Sequence, residues 1–477
     1  MTRPMPTPLD TSRRTIHDTI RDIALDITRD TTRDTSQDTT RPTTRSLVHQ
    51  ILSLAAPTSA LSMLQVLAQV VETALAARQG TAALAGWAVI LPFALLLQQM
   101  STGAMGGGVV SAVARALGAK RRDEAAAMVT HALLIASGFG AVFAFGVTLS
   151  ARPLLQAVAG AEAARVAAPF ALWVFGVGAL PAWWGNTLAS VLRGGGQHAL
   201  AARVLALSWG VLPVLAWALA EPAGLGLTGV GMAFAITSWS AAIALLWRVR
   251  RGDAGFAPQW LLRPSWALFS RILAVGAIAS ALALVGNLST VLVTSQLRHH
   301  GPATVGAFGI AVRLEFLVIP VAFGIGSALT ALVGRAVGSG DWATARRIAW
   351  LGGGMAFVMT GLLGALVASF ALEFATLFTA DAEVAAIAAR ALRCTGPAFG
   401  SFGLGMAMYF ASLGAGRMGW PVVAGLSRLG LAAGGGWWLA NVAGLGVEGN
   451  FLGVAVGLTA YGMAAAAGVR ASQWRAR

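Results

Sequence analysis

The chain has 477 residues, of which 56% are hydrophobic and only 11% are charged. Soluble proteins are about half apolar and about a quarter charged, so this composition excludes an ordinary soluble protein. The formal net charge of +15 is spread over separate loops, and it leaves no basic patch that would indicate nucleic-acid binding. The single cysteine, Cys394, excludes an intrachain disulfide and a cysteine-rich metal site, and we expect no cofactor.

Residues 1–46 form a polar tail that is rich in Thr and holds eight Arg and seven Asp. Aspartate recurs at every fourth position from Asp18 to Asp38. A segment of this kind has too little apolar surface to order itself. We therefore expect residues 1–46 to be a disordered cytoplasmic tail.

Twelve apolar segments follow the tail, separated by short stretches with turn and charge signals. About 20 apolar residues are enough for a helix to cross a bilayer. The segments span roughly 48–77, 83–114, 124–150, 163–192, 199–220, 227–247, 266–297, 303–334, 343–372, 384–413, 419–440 and 450–470. The sequence predicts an all-α polytopic membrane protein with twelve transmembrane helices.

The two halves of this region match each other at an offset of 220 residues. Examples are the pairs Arg115/Arg335, Gly118/Gly338, Gly196/Gly416 and Gly226/Gly446. Since each half has an even number of spans, we expect two pseudo-symmetric six-helix bundles related as parallel repeats. The predicted organisation is an N-terminal bundle at 47–249, a cytoplasmic linker at 250–265, a C-terminal bundle at 266–470 and a cytoplasmic C-terminus at 471–477.

Basic residues are distributed unequally between the two sets of alternate loops. One set, together with the C-terminus, holds 19 Lys and Arg, and the opposite set holds 6. Loops rich in Lys and Arg stay on the cytoplasmic side. We therefore expect a multi-pass protein of the cell (inner) membrane with both termini in the cytoplasm.

Several ordered motifs resemble those of the multidrug and toxic compound extrusion (MATE) family. The segment 71–80 is similar to the family's V-D-T-x4-R-x-G, with Glu72 where the family usually has Asp. Residues 113–119 and 333–341 resemble the loops after the family's second and eighth helices. Residues 192–197 resemble its L-R-G-x-G-D element, with Gln197 in the last position.

The resemblance implies an antiporter that expels cationic, amphipathic compounds in exchange for protons or sodium. It also implies that Glu72 stands at the family's coupling position in the first helix. Some family members have a further Glu in the seventh helix, where this chain has Asn287 and no acid nearby.

Two carboxylates lie more than a turn inside predicted spans, Glu72 and Glu315, and both are candidate ion-coupling residues. An intramembrane carboxylate is costly and is a functional candidate by default. Glu72 ends a polar stripe with Thr58, Gln65 and Gln69, at helical spacing. The stripe indicates either a water-filled cavity, in which Gln65 and Gln69 would bind substrate, or hydrogen-bonded helix packing.

Other candidate substrate-binding residues lie on the fourth, seventh and eighth helices. They are Trp183, Asn186, Asn287 and Arg313. Aromatic faces attract organic cations, although Trp is also common in interfacial belts of membrane proteins. Arg313 and Glu315 are two residues apart, on different faces of a helix, so each is expected to find a partner on another helix.

The leading hypothesis from the sequence is a secondary multidrug antiporter that works by alternating access, and not an enzyme. Its partners would be a small cationic substrate, the lipid bilayer and a coupling ion, with the protein a monomer. A proton is favoured over sodium because the C-terminal half lacks the carboxylates of a sodium site. The alternatives are a flippase for lipid-linked saccharides, a membrane enzyme, and a receptor or scaffold that does not transport. A membrane enzyme would need clustered His, Asp or Ser residues, and the sequence has no such constellation.

Overall fold

The computed structural model describes residues 42–260, 264–470 and Trp474. Most of the predicted cytoplasmic tail, and the predicted C-terminal segment apart from Trp474, lie outside the described residues. The first helix begins at Thr44, so the last three residues of the predicted tail are helical.

The described residues form helices joined by short turns, with no strand among them. Apolar runs in lipid must satisfy their backbone hydrogen bonds internally, and a helix does this within one segment. The twelve long helical segments are α1 Thr44–Arg78, α2 Thr81–Gly118, α3 122–159, α4 161–194, α5 His198–Ala220, α6 Gly226–Arg250, α7 Trp266–Leu297, α8 Pro302–Gly338, α9 Trp342–Ser369, α10 Ala382–Ala415, α11 419–441 and α12 Gly446–Arg470.

Ten helical runs in the described part of the chain are long and apolar enough to cross a membrane. One of them, Arg122–Val177, turns sharply at Gly160, where φ is 89°, and so contains α3 and half of α4. The segment α11 is not among the ten and is interrupted by a π-helical turn at Gly430–Gly435. The predicted all-helical fold with about twelve spans is confirmed, although α3 continues to residue 159 rather than 150.

The helices α2 and α8 are both irregular near the middle. A π-helical turn occupies Gln99–Ala104 in α2, and α8 is broken between Glu315 and Val318. Interruptions of this kind are frequent at functional sites because they redirect side chains and free backbone groups. The candidate residues Asn186 and Glu315 lie next to these two interruptions.

The repeat of 220 residues is visible in the backbone. Helices α6 and α12 begin and end at positions that differ by this number. The matching turn residues Gly196 and Gly416 both have a left-handed backbone, with φ of 90° and 70°. Glycine adopts this conformation at no steric cost, which explains why the two halves share glycines at these turns.

Each half contributes the start of its first helix to the core of the other half. Leu47, Ile51 and Ala55 at the beginning of α1 are buried in a cluster with Ile325 and Leu329 of α8. Later residues of α1, from Leu61 onward, belong to the core of the N-terminal half. The helix α1 therefore passes from one half to the other along its length.

The helix α7 makes the reciprocal crossing. Ile272, near its beginning, is buried in the core of the N-terminal half, whereas Val293 and Leu297, near its end, are buried in the C-terminal half. Its Gly276 lies against Met105 of α2, so a larger residue there would have to displace the Met105 side chain. The two first helices thus connect the halves in a pseudo-symmetric way.

The ends of α2, α4, α8 and α10 meet at one end of the molecule, which we call the arginine-rich end. It is defined by Arg115, Gly195, Arg335 and Gly416. The Arg335 guanidinium donates a hydrogen bond to the Gly195 carbonyl at 3.0 Å, and the Arg115 guanidinium lies against Gly416. Each arginine thus contacts the glycine turn of the opposite half.

The helix ends are in close contact at the arginine-rich end. Gly118 lies against the backbone carbonyl of Arg335, and Gly338 lies against that of Arg115. The Ser111 hydroxyl donates to the Leu413 carbonyl at 2.5 Å. The two halves are therefore closed against each other at this end.

The predicted linker is folded onto the N-terminal half. Ala254 and Phe256 are buried, and the Thr130 hydroxyl of α3 donates to the Gln259 carbonyl at 2.8 Å. The chain then enters α7 at Trp266, as the sequence predicts. The described part of the linker is an extension of the N-terminal core and not a free tether.

Candidate functional site

The polar stripe of α1 is the protected face of that helix. Thr58 and Glu72 are buried, and Gln65 and Gln69 are partly covered. The neighbouring apolar residues of the helix are exposed, Val70 to 61%. An apolar residue on the outside and a polar residue on the inside is the pattern expected of a helix that borders a polar cavity within lipid.

Glu72 lines a cavity within the N-terminal half, and the residue is only 6% exposed. Four aromatic residues, the amides of two glutamines and a set of aliphatic side chains form the rest of the wall. The lining residues are Gln69, Glu72, Trp87, Ile90, Leu91, Ala94, Leu95, Leu97, Gln98, Phe170, Val174, Trp209 and Phe234.

A second cavity adjoins the first. Gln98, Trp209 and Phe234 line both cavities and form the boundary between them. The second cavity extends toward α5 and α6 and includes Asn186 of α4.

The side-chain amides of Asn186 and Gln98, between the two cavities, have only some of their hydrogen bonds formed. The Asn186 side-chain amide donates to the Ser101 hydroxyl at 2.8 Å and to the side-chain oxygen Oε1 of Gln98 at 3.4 Å. The Nε2 atom of Gln98 and the Nε1 atom of Trp87 are buried donors without a hydrogen-bond partner in the described part of the chain. A buried donor without a partner costs free energy, so both groups favour a ligand with an acceptor atom.

Glu72 is the charged residue among those that line the two cavities. Among the described residues, no basic side chain forms an ion pair with it. Trp87 and Phe170 pack together beside it, with ring centroids 5.2 Å apart. A buried carboxylate bordered by aromatic rings can bind an organic cation or a small cation, because the charge and the ring faces are both attractive to positive charge.

The structure brings together some of the predicted substrate-binding residues and separates others. Gln69 and Asn186 line the cavities, whereas Gln65 lies on the same face of α1 but lines neither of them. Trp183 is 0% exposed and stacks on Phe139, with centroids 5.1 Å apart, so it lies in the core of the N-terminal half.

The predicted residues of the C-terminal half lie away from these cavities. Asn287 of α7 is exposed, and its side-chain amide donates to the side-chain oxygen Oε1 of Gln99 of α2 at 3.3 Å, at the boundary between the halves. Arg313 is exposed on α8. Glu315 is buried and forms an ion pair with Arg428 of α11 at 2.8 Å. Glu315 therefore has a partner on another helix, as the sequence predicts.

Arg428 is one of the 19 basic residues of the richer set, and in the structure it lies inside α11 rather than in a loop. The other 18 still outnumber the 6 of the opposite set, so the expected orientation is unchanged.

Sequence reasoning missed the residues that form the boundary between the cavities. Gln98 is polar within the otherwise apolar stretch 83–98, and this was a usable signal. Trp87 and Trp209 have no comparable signal, because Trp is common in this chain and its spacing does not distinguish a cavity wall from a helix contact.

We expect Gln98→Leu to weaken the binding of a cationic dye with an acceptor atom, such as rhodamine 6G with its ester carbonyl, about fivefold, the equivalent of one neutral hydrogen bond of about 1 kcal/mol. The volume of the side chain is nearly unchanged, and Asn186 keeps its bond to Ser101. Fluorescence titration of the purified protein measures the effect. Gln156→Leu on the exposed surface of α3 is the control, and equal affinity of both variants would show that Gln98 does not contact the ligand.

Comparison with known proteins agrees with this architecture. The MatE family model matches the chain twice, at residues 57–218 and 277–438, and the two matches begin 220 residues apart, 277 against 57. The chain therefore belongs to the MatE family, whose members are transporters and not enzymes. The repeat found in the sequence is the repeat that the family model recognises.

Several relatives bear the name "probable multidrug resistance protein NorM", among them one from Xanthomonas campestris and one from Geobacillus kaustophilus. The protein from Xanthomonas campestris is 28% identical over 67% of this chain and 70% of its own length. The protein from Geobacillus kaustophilus is 25% identical over 72% of this chain and 82% of its own length.

Solved structures show the same fold. The Vibrio cholerae MATE transporter VcmN in its bent form matches with a TM-score of 0.83 at 21% identity, over 89% of this chain and 97% of that chain. A MOP superfamily transporter from Pyrococcus furiosus matches with a TM-score of 0.82 at 21% identity, over 88% of this chain and 94% of that chain.

Proposed function

We propose that this transporter exports cationic, amphipathic compounds in exchange for a coupling ion that binds at Glu72. The observation that carries this proposal is a buried carboxylate in an aromatic-lined cavity, without a basic partner among the described residues. The relatives named as multidrug resistance proteins support the substrate class.

The mechanism follows from competition for one carboxylate. Substrate and coupling ion are both positively charged, and both are attracted to Glu72. When the cavity faces outside, the coupling ion binds there and weakens the hold on the substrate, which leaves. When the cavity faces inside, the ion leaves and the next substrate binds. Competition of this kind couples export of the substrate to entry of the ion without any further binding site.

A proton suits this site better than sodium. Sodium is held by several oxygen ligands, as are other hard cations. The wall of the first cavity has one carboxylate and two glutamine side chains among its lining residues. Protonation needs no coordination shell, so Glu72 alone is sufficient for a proton.

The arginine-rich end is the proposed entrance for substrate from the cytoplasm. We place this end on the cytoplasmic side of the inner membrane, because it carries basic residues of the richer set of loops. With the halves closed there, the structure represents a state whose cavities are shut off from the cytoplasm. Export then requires the halves to separate at this end and accept substrate.

The lining residues count against a flippase for lipid-linked saccharides. Such a protein would be expected to offer basic side chains to a pyrophosphate group. Neither cavity has Arg or Lys among its lining residues. The monomeric state stays a prediction from the sequence.

The test is ethidium transport in inverted membrane vesicles with an imposed gradient. We expect a pH gradient, acidic inside, to drive ethidium accumulation, because each protonation of Glu72 from that side releases one substrate. A sodium gradient of equal size, in the absence of a pH gradient, should give no accumulation. Accumulation driven only by sodium would overturn the choice of the proton, and no accumulation under either gradient would overturn the proposed transport of cations.

A further inference from the structure

The C-terminal half has its own counterpart of the cavities. Four lining residues of the N-terminal cavities are Leu95, Ala182, Ser208 and Ala241. Adding 220 to each number gives Glu315, Phe402, Arg428 and Tyr461. In every pair except Leu95 and Glu315, which are similar in size, the residue of the C-terminal half is much the larger. Other lining positions have smaller counterparts, as in the pairs Trp87/Ala307 and Trp209/Leu429, so the added volume of the C-terminal half is concentrated at Phe402, Arg428 and Tyr461.

These four residues contact one another in the structure. Arg428 Nη2 lies 2.8 Å from Glu315 Oε1, and both side chains are largely buried, with 19% and 10% exposed. The Arg428 guanidinium carbon lies 4.7 Å from the centroid of the Phe402 ring. Phe402 in turn packs on Tyr461, with centroids 6.0 Å apart.

A carboxylate beside an aromatic face is a recognition site for an organic cation. In the N-terminal half such a site, formed by Glu72 with Trp87 and Phe170, adjoins open space. In the C-terminal half the corresponding combination of Glu315 and Phe402 is in contact with the protein's own guanidinium group. Arg428 has the charge and the flat shape of a small organic cation.

We propose that Arg428 is a built-in cation that occupies a second organic-cation site, formed by Glu315 and Phe402 in the C-terminal half. Its effect is to restrict this protein to one bound cation per chain, at Glu72. Arg428 is thus a specificity-determining residue whose removal opens the second site. The inference uses the proposed function only for the site at Glu72.

The variant Arg428→Ser tests the proposal, since it places in the C-terminal half the residue that its counterpart position, Ser208, has in the N-terminal half. Binding of methylguanidinium, which has the charge and the size of the Arg428 head group, to the purified full-length protein is measured by isothermal titration. We expect the number of bound cations per chain to rise from one in the unmodified protein to two in the variant. The double variant Arg428→Ser with Glu315→Gln should return to one.

Removing one member of a buried ion pair destabilises a protein, so a second variant is needed. Arg428→Lys keeps the positive charge and should retain a single bound cation; it tests whether charge alone blocks the site. If Arg428→Ser does not fold, Arg428→Gln, which keeps a hydrogen-bond donor for Glu315, is used in its place with the same expectation.

The outcomes separate this inference from the proposed function. A single bound cation in both Arg428→Ser and Arg428→Gln would overturn the inference, as would a second cation that persists when Glu315 is replaced by Gln. Two bound cations in the unmodified protein would also overturn it. Loss of the second cation on Glu315→Gln alone would support the inference. An absence of any effect of Glu72→Gln on binding would count against the proposed function and would leave the inference standing.

Discussion

Replacing Glu72 with Gln is expected to abolish efflux against a gradient and to return the drug susceptibility of an efflux-deficient bacterium to that of cells without the transporter. Gln is close to Glu in size and keeps hydrogen-bonding atoms, so the fold should be maintained. Its permanently neutral amide cannot alternate between a charged and a neutral form. Growth in the presence of ethidium, with membrane levels of the protein checked in parallel, measures the effect.

Glu162→Gln provides the matched control for this experiment. Glu162 is exposed and pairs with Arg165 on the surface, a contact of little energetic value, so its removal should leave resistance unchanged. Resistance that persists in Glu72→Gln at normal membrane levels would refute a coupling role for Glu72.

Gly338→Ala is expected to open the arginine-rich end. The added methyl group would overlap the backbone carbonyl of Arg115 when the halves are closed, but not when they separate. Overpacking of this kind costs about 1–3 kcal/mol, which shifts the ratio of closed to open forms by about fivefold to 150-fold. We expect a corresponding rise in the accessibility of this end and a loss of efflux.

A single reporter cysteine measures that accessibility. Ser327→Cys, in a background in which Cys394 is replaced by Ser, introduces a thiol at a position that is 5% exposed in the closed form. Labelling should be slow in this background and much faster with Gly338→Ala. Gly309→Ala, on the same helix and with nothing within 4 Å of the added atom, is the control. Equal labelling rates for the two variants would show that the contact at Gly338 does not hold this end closed.

The helices and their repeat could be predicted because they depend on local patterns. Apolar runs of sufficient length define the spans, and glycines such as Gly196 and Gly416 mark turns that require a left-handed backbone. The inward face of α1 was also predictable, since the spacing of Thr58, Gln69 and Glu72 is a property of one helix.

The contacts between distant helices could not be predicted in the same way. Glu315 and Arg428 are 113 residues apart in the chain, and nothing in the local sequence of either indicates the other. Trp183 shows the same limit, because helical spacing places it on the inner side of α4 but does not decide between the core and a cavity wall. Such choices depend on how the helices pack, which a single sequence does not encode locally.

The exchange of α1 and α7 between the two halves bears on the origin of the fold. In a symmetric dimer of a single six-helix chain, each subunit could insert its first helix into the partner, and the two insertions would be identical by symmetry. The crossings of α1 and α7 in this protein are related in that way, with Leu47 and Ile51 on one side and Ile272 on the other. The present chain thus has the arrangement of a homodimer that exchanges the starts of its first helices and whose subunits have become joined, and the core of each half includes residues of the other half.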